Sequence, residues 1–284
     1  MIEPRALSRP GRRLRYGVRV DHLLRSLAPI SDLGWRLLDE EASDRLKPAL
    51  GARRLVDFRG SLGWQHSATN LGRVSPLSPA PVEGVSARQR RVLALVELRA
   101  AFELDRGELC ATDRGADDAD LGPLDAAAHR IAEAENVAVF HGWEGAVDGI
   151  AQVTPHESVA LGEAPGYPVA IAAAVQRLLE SGVGGPYGVA LGSDQYRLAM
   201  GTSESGGYPV VEHLAKVLGG PVVWAPGVHG AVVLSLRGGD FVFECGQDLS
   251  IGYESHAERT VALYLEESFS FHVATPEAAV ALTP

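Results

Sequence analysis

The chain has 284 residues, 46% of them hydrophobic, enough to bury a sizeable core in one large unit or two modest ones. Its formal net charge of −10 disfavours nucleic acid as the main partner, because affinity for phosphates needs clustered Lys and Arg. No run of about eighteen apolar residues occurs, and the N-terminus lacks the apolar core and cleavage site of a secretory signal, so a cytoplasmic location without membrane contact is expected.

The charge is uneven. Within 1–20, Arg5, Arg9, Arg12, Arg13, Arg15 and Arg19 stand against Glu3, a local balance of +5 that leaves −15 on the rest. Residues 1–21 therefore read as a basic leader, broken by Pro4, Pro10 and Gly11 and expected to be flexible. From Ser31 and Asp32 onward, Trp35, Leu38, Ala42, Leu46 and Ala49 recur at helical spacing, and Pro48 and Gly51 kink or end that helix. Arg53 to Phe58 reads as a short strand leading into a turn at Gly60 to Gly63.

Val92, Ala94, Val96, Leu98, Ala100, Phe102 and Leu104 occupy alternate positions, which predicts one long strand with a continuous apolar face. Paired with the extended stretch after Trp64, it predicts an arm that turns within Ser75 to Ser86. Pro123 opens a helix carrying Leu124, Ala127, Ala128, Ile131, Ala134 and Ala138, and Gly142 ends it. Further helices are expected from Pro168 to about Ser181 and from Pro209 to Val217, with strands at Tyr187 to Leu191 and Val222 to Ala225. Val232 to Leu236 and Phe241 to Cys245 flank Gly238-Gly239, a hairpin signal, and the class is mixed α+β.

Chemistry-bearing constellations are missing from the sequence. Gly182-Val183-Gly184-Gly185-Pro186-Tyr187 fails the dinucleotide pattern, there is no HExxH, and no glutamate precedes a histidine by three residues. The Asp117, Asp118 and Asp120 cluster reads as a solvated loop, and no catalytic or metal site is expected. Cys110 and Cys245 stand far apart without CxxC spacing and are expected as buried thiols.

The C-terminal third is distinctive: Arg237-Gly238-Gly239-Asp240-Phe241, then Gly246-Gln247-Asp248-Leu249-Ser250-Ile251-Gly252-Tyr253-Glu254, then Leu263 to Phe271. With Arg25-Ser26-Leu27-Ala28-Pro29-Ile30, Glu97-Leu98-Arg99-Ala100-Ala101-Phe102, Gly185-Pro186-Tyr187 and Gly207-Tyr208-Pro209, these segments resemble, in colinear order over 22–284, the family 1 encapsulin shell proteins (linocin-like). The resemblance implies the tailed-phage major capsid protein fold. Residues 22–60 would hold the N-terminal helix and start a peripheral domain, 61–92 the extended loop arm, 93–154 the peripheral domain with its long helix, 155–226 an axial domain, and 227–284 a return to the peripheral domain.

It further implies a structural shell that is not an enzyme, closes on itself as the smallest icosahedral class, and captures a cargo enzyme through that partner's C-terminal targeting peptide. Carried over residue by residue, Arg53, Asp57, Asp248, Leu249 and Ile251 would form the cargo-peptide groove. Asp194, Glu204 and Ser205, in the tract Ser193 to Gly207, would line a pore, and Val96 and Leu98 would belong to the arm interface. Val56-Asp57-Phe58-Arg59-Gly60, Gly63-Trp64 and His141-Gly142-Trp143 look most like shells with ferritin-like cargo for iron storage; dye-decolourising peroxidase is the second choice. Some relatives bind flavin on a tryptophan before the Glu-Leu-Arg strand, but Gly84 to Arg91 holds no aromatic, so flavin is not expected. The rival reading is a prophage capsid protein that packages nucleic acid.

Overall fold

A computed structural model describes residues 22–204 and 206–284; the basic leader and Ser205 lie outside the described residues. Helix α1 spans Asp32–Ala49 because Ser31 caps it, its hydroxyl accepting the Gly34 amide at 2.9 Å. Gly34, Leu38, Ala42, Leu46 and Ala49 form its buried stripe. Strand β1 is confined to Asp57–Arg59, shorter than the expected strand over Arg53 to Phe58. Residues Ala52–Arg54 instead make a 3-10 turn, since the Ala52 amide is drawn to Asn136 Oδ1 at 2.9 Å and the Leu55 and Val56 amides both bond back to the Ala52 carbonyl.

Among the described residues, strands β2 (Ala68–Leu77) and β3 (Ala87–Ala94) pair only with each other and form a separate hairpin. The long strand expected from Val92 is two strands, because the chain breaks at Leu95 and β4 begins at Val96, running to Asp105. The phase of burial changes there: Val92 is exposed, whereas Phe102 and Leu104 are buried. One apolar alternation thus crosses from a two-stranded hairpin into a core strand.

Helix α2 follows at Arg106–Asp113, and α3 at Gly122–His141 starts with Pro123 in its first turn and stops at Gly142, whose φ of 88° suits glycine. Small residues on α3 (Ala127, Ala128, Ala132, Ala138) let α1 and β4 both pack closely on it. After α4 (Ile150–Val153) and β5 (Val159–Ala160) come α5 (Tyr167–Glu180), β6 (Tyr187–Leu191), α6 (Ser193–Gly201), α7 (Val210–Leu218) and β7 (Val222–Trp224). Strands β8 (Ala231–Ser235), β9 (Phe241–Cys245), β10 (Ser250–His256), β11 (Thr260–Val273) and β12 (Ala279–Thr283) complete the chain.

Among the described residues, two five-stranded sheets result. In the first, β4 runs antiparallel along one edge of β11, while β10 and then β9 line its other edge, with β1 parallel to β9. The second has the order β5-β12-β8-β6-β7. Accordingly β8 and β9 are not a hairpin: β8 is enclosed by β6 and β12 in the second sheet, and the chain crosses at Gly238-Gly239 to the first. An Arg237–Asp240 ion pair at 2.8 Å and the Asp57 carboxylate, which accepts the Gly239 amide, hold that crossing. Strands β8 and β12 therefore join the sheet of β6, while β9, β10 and β11 belong to the first sheet. Cys245 is buried as expected, but Cys110 is exposed, because α2 turns only Leu109 and Thr112 inward. No described helix is long and apolar enough to cross a membrane.

Candidate functional site

Helix α1 does not close fully onto the first sheet. Between it and β10 lies a groove with a cavity volume of about 360 Å³, with Ala42, Leu46 and Leu50 on the helical wall and Leu249, Ile251 and Leu265 on the strand wall. Arg53 and Asp248 lie at its base. The apolar walls arise from helical spacing on α1 and from alternation on β10 and β11, so two unrelated periodicities meet across one cleft.

Arg53 is held by three carboxylates. Its Nε donates to Glu135 at 2.7 Å, Nη1 to Asp248 at 2.7 Å and Nη2 to Glu267 at 2.6 Å. The Glu135 and Glu267 side chains are fully buried, whereas the Asp248 side chain is 47% exposed at the groove. Burial works against the Arg53 charge, but Glu135 and Glu267 outweigh it and raise its pKa. Burial likewise raises the pKa of both glutamates, Glu267 well above the usual carboxylate range with the neighbouring Glu135 adding to the effect. The guanidinium also lies over the rings of Phe58 (4.9 Å) and Phe243 (5.4 Å).

Of the five residues expected at the groove, Arg53, Asp248, Leu249 and Ile251 come together, and Asp57 does not. Asp57 lies in a separate pocket with Arg54, Ser235 and Asp240, where its carboxylate is tied to the Gly239 amide. Val96 and Leu98 lie on β4, opposite Phe269 and Glu267 of β11 and packed on the core, so they are not hairpin residues. The expected pore loop is mostly helix α6; Asp194 sits in its first turn paired with Arg197 at 3.4 Å, and Glu204 pairs with His213 at 2.8 Å. Ser205 is outside the described residues.

Three residues of this site escaped sequence reading. Glu135 follows Ile131 by four and precedes Ala138 by three on the buried stripe of α3, and Glu267 falls between Leu265 and Phe269 on one face of β11. A charge at an apolar phase was the available signal in both cases. Asn136, also fully buried, bonds the Ala52 amide and the carbonyls of Ala49 and Pro226, which joins the end of α1 to the loop after β7.

This mixed α+β arrangement is the capsid-type fold, as two solved structures show. The chain is similar to the virus-like particle of Pyrococcus furiosus (TM-score 0.61, 15% identity, 87% of this chain and 98% of that one). It is also similar to the capsid of an empty GTA particle (TM-score 0.51, 16% identity, 82% and 89%). At these identities the likeness concerns the fold alone. Residues 20–270 match the family described as the encapsulating protein for peroxidase. Over 270 residues the chain is 44% identical to the type 1 encapsulin shell protein of Rhodospirillum rubrum, covering 93% of this chain and 96% of that protein. The chain belongs to this family, the type 1 encapsulin shell proteins.

Proposed function

We propose that this chain is a structural shell subunit, not itself an enzyme, that closes with copies of itself into a cytoplasmic cage of the smallest icosahedral class, about sixty copies by symmetry. The first sheet with α1 and α3 is the peripheral part, the second sheet the axial part, and the β2–β3 hairpin the arm. A two-stranded hairpin is marginal in water by itself, and this one exposes Val74, Leu77, Val82, Val85 and Val92, which favours its burial against a neighbouring copy.

The groove between α1 and β10 is the docking site for a guest enzyme's C-terminal peptide. The observation that carries this reading is the open apolar cleft with a half-exposed carboxylate at its base. Aliphatic side chains of an extended peptide would fill it, and Asp248 would accept a peptide N–H or a cationic group. Many such weak sites around one multimeric guest raise retention by avidity. The segments Val56 to Gly60, Gly63-Trp64 and His141 to Trp143 favour a ferritin-like guest for iron storage, with a dye-decolourising peroxidase as the second choice.

Electron microscopy of the purified protein tests the shell, and mass spectrometry of particles isolated from the source cell tests the guest. Uniform cages containing one protein guest are expected. A stable monomer would remove the shell reading, and cages holding nucleic acid without a protein guest would favour a viral capsid.

A further inference from the structure

The base of the groove has more buried negative charge than positive. Glu135 and Glu267 share one guanidinium, and a third acid, Asp248, occupies its remaining face. Oε1 of Glu135 and Oε1 of Glu267 are both buried without a hydrogen-bond donor, while the other oxygen of each accepts from the same guanidinium. Two carboxylates on one guanidinium, away from water, repel each other, and neither Oε1 has a donor to satisfy it.

Among the described residues, none of the groups packed around the pair is bonded to either atom. From the turn after α1 comes Arg53, whose Nε, Nη1 and Nη2 are already bonded to Glu135, Asp248 and Glu267 respectively. From α3, the Asn136 amide nitrogen is bonded to the carbonyls of Ala49 and Pro226. From β9 comes Cys245, whose thiol is pushed up to about 12 by burial and next by Asp248; its S–H is a weak donor and is not bonded to either oxygen. On β11 itself, Glu266 pairs with Arg99 at 2.6 Å. Lys47 of α1 stands at the groove beside Asp44 at 4.0 Å, exposed to water.

We infer that Glu135 and Glu267 hold one proton between their Oε1 atoms, which makes the base of the groove a buried proton-binding site that keeps Arg53 on Asp248. The proton resides on Glu267, whose O–H donates to Glu135, so each oxygen gains a partner and the like charges are removed. Three acids and one guanidinium then carry one net negative charge, exposed at Asp248 where a guest peptide would meet it. When the proton leaves, the second buried anion competes for the guanidinium, and the Arg53–Asp248 link loosens. Guest retention is therefore present at acidic and neutral pH and falls as pH rises through the raised value of the pair. That consequence rests on the groove reading; the proton site itself does not.

Infrared spectroscopy of the full-length shell, titrated from about pH 5 to about pH 10, detects a protonated carboxyl directly. One such carboxyl per subunit is expected at neutral pH, lost at alkaline pH, and absent from both Glu267→Gln and Glu135→Gln. Either variant alone suffices if the other fails to fold. No protonated carboxyl in the wild type at neutral pH, or one that survives both substitutions, overturns the proton site. Guest content of shells purified at several pH values separates the two ideas. A band that behaves as expected, with guest content indifferent to pH and to Glu267→Gln, keeps the proton site and removes its link to the groove.

Discussion

Arg53 and Asp248 are 195 positions apart in the chain, yet Arg53 Nη1 donates to Asp248 Oδ1 at 2.7 Å across the base of the groove. The same guanidinium also donates to Glu135 and Glu267, so removing it leaves two buried carboxyls without their donor. Arg53→Ala should cost about 3–5 kcal/mol in chemical denaturation at neutral pH. Arg53→Lys should recover only part of this, because one ammonium cannot span three carboxylates as the planar fork does. An unchanged unfolding midpoint in Arg53→Ala would mean that the cluster contributes nothing to stability.

Leu249 and Ile251 line the same wall but differ in burial. Ile251 is 1% exposed and part of the core with Leu38 and Leu265, so Ile251→Asp should prevent folding and report nothing about a guest. Leu249 is only partly buried, so Leu249→Asp should leave cages intact and lower guest content about tenfold, near the 1.4 kcal/mol of a lost apolar contact. Guest-to-shell ratio by quantitative mass spectrometry decides it; an unaltered ratio with intact cages removes the groove assignment.

The hairpin and the strand that follows it should respond differently to charge. Val82 and Val85 are 65% and 58% exposed at the hairpin tip, so Val82→Asp with Val85→Asp should leave the subunit fold intact and reduce shell formation. Val96→Asp should instead lower the unfolding midpoint, because Val96 packs on the core beside Phe269. Circular dichroism and analytical ultracentrifugation separate the two effects, and normal assembly of the double tip variant would count against the arm contact.

Asn136 makes three hydrogen bonds that join the end of α1, the 3-10 turn and the loop after β7. Asn136→Ala should cost about 1–3 kcal/mol for each backbone group left without a partner. Thermal unfolding followed by calorimetry is the measurement. A shift within error would show that water replaces the side chain there.

Cys245 is buried and its thiol is pushed up to about 12, so it remains protonated well past neutral pH. A thiol-directed reagent should leave it unmodified in the native protein and modify it once denaturant is added. Peptide mapping shows which outcome occurs; native labelling at Cys245 would mean that the core around Phe243 and Phe269 opens readily.

What sequence alone determined is local. Ser31 and the Leu38, Ala42, Leu46 stripe define α1 because a cap and a helical period act within a few residues. Pro123 and Gly142 bound α3 for the same reason, and the colinear C-terminal segments identify the family. Only the tertiary structure decided which side of a boundary each residue serves. Alternation through Leu95 looks continuous, but strand pairing divides it, because β11 offers an edge to β4 and none to β3 over that length. Gly238-Gly239 marks a turn in either case, yet the edges already taken on β8 make it a crossing between sheets. Asp57 faces Gly239 instead of the groove, while Glu135 and Glu267 meet Arg53 beneath it. Pairing edges and buried charges depend on residues far away in the chain, and periodicity records one face of one element at a time.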